Sequence, residues 1–255
     1  MNQALRTKVS AIVPLYNEEK TIAGVVAALL TCPAIDEVIC VNDGSSDKSA
    51  DILALFGDRI RRIDFEENRG KGAALSAGIE IANGEIVCFF DADVVNMRDE
   101  FVYTLLSPFV RNSALAGVLG APYRYRASLY FPFNVYLSGQ RAYRRERLLP
   151  YLVDIAASRF GSEVLLNSLF SKNEMRIVYL KGFHSLSKHS KMDTEDAIRE
   201  YARALMEVAL QKSKIVFLPY KEYPREIWAK MNTEVSFEVI REKIPDITRL
   251  RDFLK

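Results

Sequence analysis

The 255-residue chain is 49% hydrophobic and 27% charged, the balance of a globular protein with a sizeable core. A formal net charge of +2 excludes a dedicated nucleic-acid binder, which would be far more basic. Cys32, Cys40 and Cys88 are odd in number and lack metal-ligand spacing, so they read as small buried hydrophobes in a reducing compartment. The longest apolar stretch, residues 21–30, is about half of what a bilayer-spanning helix needs. Residues 1–8 are polar and do not resemble a secretory leader. The expectation is a cytoplasmic protein without a transmembrane helix, with peripheral contact at the cytoplasmic face of a membrane left open.

In chain order, residues 9–15 form a β-branched run that predicts a buried first strand. Helical spacing follows over 18–30, with Thr21 near its start and Pro33 just past its end. Residues 37–41 predict a second strand, and Asn42-Asp43-Gly44-Ser45-Ser46-Asp47 a dense turn in which Ser46 or Asp47 caps a helix running to Phe56. A third strand over 60–65, a helix over 72–82 and an apolar fourth strand over 85–90 complete a βαβαβαβ alternation. That alternation predicts an α/β fold, a Rossmann-like, mainly parallel sheet flanked by helices. Beyond Asp93 the pattern loosens. Helices are expected over 99–110, 143–157 and 162–169, an irregular aromatic stretch with Pro122 and Pro132 over 120–138, and a strand over 176–180. A long amphipathic helix over 194–212, a short strand over 215–218 and a charged, helical tail close the chain.

In an open parallel sheet, ligands bind outside the carboxyl ends of the strands. Three polar clusters fall at such ends: Tyr16-Asn17-Glu18-Glu19, Asn42-Asp43-Gly44 and Asp91-Ala92-Asp93. Any one of them also suits a turn or a helix cap, which Asp favours; three on one rim point to a ligand site. Asp91 and Asp93 follow a buried strand and, by period-two alternation, point the same way. Like charges held so close call for a cation, and an oxygen-only donor set selects magnesium or manganese. There is no Gly-x-Gly-x-x-Gly after the first strand and no Gly-x-x-x-x-Gly-Lys-Ser/Thr anywhere. The Asn68-Arg69-Gly70-Lys71-Gly72 segment instead opens the third helix, either as a flexible turn or as a loop from which Lys71 reaches a ligand.

In order and spacing these segments resemble the family 2 glycosyltransferases of GT-A fold: Val13-Pro14-Leu15-Tyr16-Asn17-Glu18-Glu19, Val41 to Asp47, Asn68-x-Gly70-Lys71-Gly72 and Phe90-Asp91-Ala92-Asp93. The subgroup most similar is that of dolichyl-phosphate-mannose synthases and related polyprenyl-phosphate sugar synthases. The likeness is specific over about the first hundred residues and returns at Ser138-Gly139-Gln140-Arg141. It implies that Pro14, Tyr16, Glu18 and Asp43 hold the nucleoside, with Lys71, Asp91, Ala92 and Asp93 completing the nucleotide-sugar site. Asp93 would bind Mn2+ or Mg2+ across the diphosphate, Asp91 would contact ribose or metal-bound water, and Arg141 would face the diphosphate or the acceptor. Polyprenyl-phosphate mannose synthases often carry a metal-binding Gln two residues after the second Asp; here that position is Val95.

Two later features bear on the chemistry. His184 and His189, the only histidines, lie in a segment over 182–191 rich in Ser and Lys. In several GT-A enzymes a His or Lys of such a late loop closes on metal and diphosphate, which makes His184 a candidate ligand; an exposed basic loop is the plainer alternative. Glu163 occupies the place where inverting GT-A enzymes carry a base, although a helix-start glutamate has the same look. A hydroxyl acceptor needs such a base, whereas a polyprenyl phosphate arrives as an anion. Residues 123–147 mix Arg124, Arg126, Arg141, Arg144, Arg145 and Arg147 with aromatics, which suits an anionic acceptor or membrane surface, or else core aromatics with surface arginines.

These readings predict a metal-dependent, inverting transferase that moves a sugar from a nucleoside-diphosphate sugar to a polyprenyl phosphate. A soluble hydroxyl acceptor and a non-catalytic nucleotide-sugar-binding module are the alternatives. A sugar-phosphate nucleotidyltransferase would instead want a Gly- and Arg/Lys-rich loop directly after the first strand, which Tyr16-Asn17-Glu18-Glu19 is not. The expected organisation is one GT-A unit over 1–221, with a nucleotide-sugar-binding half over 1–96 and an acceptor half over 97–221, followed by a helical tail over 222–255.

Overall fold

The computed structural model describes residues 7–123, 138–159 and 161–186. The expected helices over 194–212 and 222–255, the strand over 215–218, and Arg124, Arg126 and His189 lie outside the described residues.

The described chain forms a seven-stranded sheet in the order β3-β2-β1-β4-β6-β5-β7. The strands are β1 (Val9–Leu15), β2 (Glu37–Asn42), β3 (Arg61–Asp64), β4 (Ile86–Phe89), β5 (Gly117–Tyr123), β6 (Arg141–Arg144) and β7 (Met175–Lys181). Only β6 runs against its neighbours; the β1–β2, β1–β4, β2–β3 and β5–β7 pairs are all parallel. The α/β, mainly parallel sheet expected from the sequence is therefore present. The order reverses between β1 and β4, which puts the crevice at their carboxyl ends.

Every residue of β1 is buried, as a strand with partners on both edges and helices on both faces requires. Its side chains alternate between two cores. Ala11, Val13 and Leu15 pack with Cys88 and Phe90 on one face, whereas Ile12 joins Ile39, Val41, Val87 and Phe89 on the other. Helix α1 (Ile22–Thr31) buries Ile22, Val25, Val26 and Leu29, the spacing of a single helical stripe. Helix α2 (Ser49–Ala54) has Lys48, and neither Ser46 nor Asp47, at its N-cap; Asp47, one residue earlier, accepts the Ser49 N–H through Oδ1 at 2.9 Å. Helix α3 (Lys71–Ile81) is built from small residues and packs closely: an added Cβ at Gly78 would stand 2.5 Å from Ile12 Cγ2. Helix α4 (Asp99–Arg111) buries Phe101, Val102, Leu105 and Phe109.

The region after α4 differs from expectation. Residues 117–123 form β5 although Pro122 argues against a strand. Gly120 N–H donates to Gln140 on the β6 side, so the nitrogen of Pro122, two residues on, points to that side too, beyond the described β6 pairing over Gly117–Leu119, where a missing N–H is tolerated. The helix expected over 143–157 begins later. Tyr143 belongs to β6, where it is fully buried with its ring centroid 5.7 Å from Phe89 and 5.9 Å from Phe170. Helices α5 (Arg145–Leu148), α6 (Leu152–Ala157) and α7 (Ser162–Ser168) then follow, with a 3-10 turn at Leu149–Tyr151 between the first two. Tertiary pairing of β4 with β6 overrides the helical spacing of this stretch.

Three of the arginines over 141–147 serve this packing. Arg144 Nε donates to the Leu115 carbonyl, Arg145 donates to the Ile79 and Glu80 carbonyls at the end of α3, and Arg147 pairs with Glu174. No helix of the described residues is long and apolar enough to cross a membrane.

Gly78→Ala tests the closeness of α3 to β1. Ile12 is fully buried and β-branched, so its methyl cannot swing aside, and the clash outweighs the better helix propensity of Ala. Denaturant titration should show a loss of about 1–3 kcal/mol.

Candidate active site

The rim at the carboxyl ends of β1 and β2 is two loops laced together. Asn17 N–H donates to Ser45 Oγ at 2.9 Å, and Ser46 N–H donates to Asn17 Oδ1 at 2.8 Å. Glu18 N–H donates to Ser49 Oγ, Glu19 N–H to Asp47 Oδ2 and Lys48 N–H to Glu19 Oε2. Asn17 makes this possible by adopting a left-handed backbone, φ 55°, which Asn accepts more readily than most residues. Pro14 is buried beneath the rim, Glu18 is half-buried and Tyr16 stands 47% exposed, open to a planar ligand above it.

Asp43 holds the next loop in place. Its Oδ1 accepts the Arg69 N–H at 2.7 Å and its Oδ2 the Gly70 N–H at 2.9 Å, and the residue is buried. Gly70 takes φ 94°, a conformation suited to glycine, and a Cβ there would meet the Arg159 backbone at 2.9 Å. Gly72 is as crowded, with a Cβ position 2.2 Å from the Ile155 carbonyl oxygen. Between these two glycines the chain turns into α3 and delivers Lys71 to the crevice.

Lys71 Nζ lies 2.5 Å from Asp91 Oδ1 and 2.6 Å from Glu163 Oε1. The three side chains come from the start of α3, the end of β4 and the first turn of α7. Asp91 is held on its other oxygen as well, by Gln140 Nε2 at 2.8 Å, and Gly139 packs so tightly on it that a Cβ would stand 2.2 Å from Asp91 Oδ1. Burial disfavours the ammonium of Lys71, yet the two carboxylates beside it raise its pKa well above the usual lysine value. Burial also disfavours ionised Glu163, but Lys71, helped by Arg141, outweighs it and holds the carboxyl below the ordinary range.

Arg141 is almost completely buried. Its Nε donates to the Ser138 carbonyl at 2.8 Å, and its Nη1 to Asn167 Oδ1 at 2.7 Å and Tyr143 Oη at 3.1 Å. Asp93 and Ala92 continue past Asp91, Ala92 buried and Asp93 half-buried. The chain after β7 lies directly beside them: Leu186 N–H donates to the Asp93 carbonyl at 2.9 Å, Val95 N–H donates to the His184 carbonyl at 3.0 Å, and Val94 bridges Ser185. Asn96 clamps the same turn, accepting the His184 N–H and donating to the Gly182 carbonyl. His184 thus sits next to the Asp93 segment, with an exposed side chain. Lys188 and Lys191 lie outside the described residues.

Apart from Arg141 and Ala92, which are buried, the sequence-predicted residues fall into three groups. Lys71, Asp91 and Glu163 are in direct contact; Asp93 and His184 adjoin them on a paired strand segment; Pro14, Tyr16, Glu18 and Asp43 form the rim and its footing. Gln140 and Asn167 were not singled out by sequence reasoning. Gln140 stands at the variable position of Ser138-Gly139-Gln140-Arg141, and nothing local says that its amide meets a carboxylate 49 residues earlier.

The donor set suits a phosphate-bridging divalent ion. The carboxylates in question are those of half-buried Asp93 and of Asp91, the latter in contact with Lys71 and Gln140. Among the described residues no group of three or more His, Cys, Asp or Glu side chains is arranged to hold a metal.

The family model described as glycosyl transferase family 2 matches residues 10–168. A glucosyl-3-phosphoglycerate synthase from Petrotoga mobilis is 28% identical over 229 residues, covering 71% of this chain and 69% of the relative. An undecaprenyl-phosphate 4-deoxy-4-formamido-L-arabinose transferase from Pseudomonas aeruginosa is 29% identical over 209 residues, covering 72% and 61%. Matches to curated relatives span from 28% to 73% of their lengths. Among solved structures, glucosyl-3-phosphoglycerate synthase from Mycobacterium tuberculosis, in complex with Mn2+, uridine diphosphate and glucosyl-3-phosphoglycerate, aligns with a TM-score of 0.65 at 22% identity. That alignment covers 84% of this chain and 82% of the other, and it bears out the GT-A fold.

Asp43→Asn tests the footing of the site. One amide hydrogen of the new side chain would face a backbone N–H that now has an acceptor. Denaturation should show a loss of about 1–3 kcal/mol, the cost of an unsatisfied buried donor. Equal stability would remove Asp43 as the anchor of the loop that carries Lys71.

Proposed function

Because this chain belongs to glycosyl transferase family 2, we propose that it moves a sugar from a nucleoside-diphosphate sugar to a polyprenyl phosphate. The observation that carries the reading is the contact of Lys71 with both Asp91 and Glu163 at the carboxyl end of β4. An ammonium there, at the first turn of α3, is placed to meet a diphosphate, and the N-terminal amides of α3 favour the same charge. Tyr16, Pro14, Glu18 and Asp43 would hold the nucleoside on the rim. Asp93, with Asp91 beside it, would hold Mn2+ or Mg2+ against the diphosphate, and His184 on the neighbouring segment would add a ligand. The ion would offset the charge growing on the leaving diphosphate. Displacement in line, with inversion, places the acceptor on the opposite side of the sugar. The presence of Mn2+ and uridine diphosphate in the mycobacterial synthase supports the metal and the donor class.

The choice of acceptor turns on Glu163. A general base working near neutral pH has its pKa raised towards that pH. Burial pushes the Glu163 carboxyl up, but Lys71 and Arg141 outweigh it and hold it below the ordinary range for as long as Lys71 stays in contact, which supports a positioning role there. A phosphate acceptor, already ionised, needs no base. The name of the Pseudomonas aeruginosa relative, an undecaprenyl-phosphate transferase, supports the same class. A soluble hydroxyl acceptor is the second reading, favoured by the nearness of Glu163 to the crevice and by the glucosyl-3-phosphoglycerate synthase relative. We take residues 1–221 as the GT-A unit of this reaction, divided at 96 into donor and acceptor halves, and 222–255 as its tail.

Metal removal tests the donor site. Calorimetry should show a nucleoside diphosphate binding at least tenfold more tightly with Mn2+ than with EDTA, and Asp93→Ala should lose most of that difference. Equal affinity in both conditions would sink the metal-bridged donor.

Glu163→Gln separates the acceptors. With undecaprenyl phosphate in detergent the variant should keep turnover within about tenfold of the parent. Loss of a general base would lower turnover by about 10²–10⁴-fold. A loss of that size with a hydroxyl acceptor, at unchanged donor affinity, would transfer the assignment to the second reading.

A further inference from the structure

The Lys71 ammonium bridges Asp91 and Glu163, a position where two carboxylates would otherwise repel. We propose that Lys71 is a resident counter-ion: it fills the cation position beside Asp91, keeps a divalent ion from binding there alone, and leaves when a diphosphate arrives. The inference rests on the donor reading above and adds an order of events to it.

Three observations make Lys71 the part that moves. Asp91 cannot rotate away, because Gln140 Nε2 holds its second oxygen and Gly139 closes the space against the first. Glu163 is held as well: Ser162 Oγ donates to its Oε2 at 3.0 Å, and the backbone of α7 carries it in the first helical turn. Lys71 alone sits on a flexible four-carbon stem, and its side chain is one-quarter exposed to the crevice. An anion in that crevice draws the ammonium off Asp91 and supplies phosphate oxygens for the divalent ion in the same step. Before then, a divalent ion meets an Asp91 that is already neutralised on one oxygen and hydrogen-bonded on the other. Metal and nucleotide are in this way coupled through one side chain, and the coupling is reciprocal.

The test compares binding of Mn2+ alone, read by the electron paramagnetic resonance of the free ion, in the full-length parent and in Lys71→Met. The variant should bind Mn2+ at least tenfold more tightly than the parent, a gain that simple structural damage does not produce. The tightening of Mn2+ binding by UDP, GDP or CDP, clear in the parent, should shrink in the variant. Removing Lys71 leaves two carboxylates facing each other, so the charge-balanced Lys71→Met/Glu163→Gln pair is measured too; with Asp91 released it should bind Mn2+ at least threefold more tightly than the parent. A folded variant of either kind that binds Mn2+ no more tightly than the parent overturns the proposal. A parent in which none of the three nucleotides affects Mn2+ binding overturns the donor reading, whereas the comparison of Mn2+ alone still decides the role of Lys71.

Discussion

The Lys71 ammonium is the interaction on which the architecture of the crevice depends, because it joins segments that are far apart in sequence. Asp91 follows the end of β4, Lys71 opens α3 and Glu163 lies 92 residues beyond Lys71, in α7. Each group alone would be a partly buried charge, costly to withdraw from water. Together they compensate one another, and Arg141 beneath Glu163 adds a second positive charge to the network. Removing one member leaves its partner uncompensated in charge, whereas the positions of Asp91 and Glu163 are also kept by Gln140 and Ser162.

The glycines around this network fix its distances. Gly70 and Gly72 let α3 start against α6, and Gly139 lets β6 enter directly beside the Asp91 carboxylate. On the rim, the side chains of Asn17, Ser45, Ser49 and Asp47 are largely engaged in bonds between the two loops. Residues that look like ligand contacts in a motif can therefore be the braces that hold the contacting residues still. Asp43 belongs to this class in the ligand-free protein, as both of its oxygens already accept backbone N–H groups.

The first half of the fold was legible because β1, β2 and β4 are largely apolar and α1 carries a stripe with the right period; Val9–Leu15 and Ile22–Thr31 are examples. The Asp91 and Asp93 pair was legible for the same reason, standing where an apolar strand stops. Strand β6 was not. Four residues, Arg-Ala-Tyr-Arg, carry too little pattern, and their conformation is set by β4 and β5 on either side. Gly117–Tyr123 was hidden by Pro122, whose place is tolerable only because of how far its β6 pairing extends. The Gln140 contact with Asp91 and the Arg141 contact with Asn167 were out of reach for a different reason: they join residues by the register of the sheet, which a local window does not contain.

The reversed strand also bears on how the chain is made. β4 pairs with β1 on one edge, and its other edge is closed by Arg141–Arg144, synthesised some fifty residues after Phe89. Until those residues leave the ribosome, a nascent chain that has already assembled β1 to β4 presents a bare, apolar strand edge to its surroundings. The rim segments at the ends of β1, β2 and β4 are complete in sequence by Asp93, but the sheet that supports them closes only later. Expressed alone, the leading part of this chain would be a sheet with an open side, prone to pair with its own copies, and the late arrival of β6 makes the whole unit fold as one.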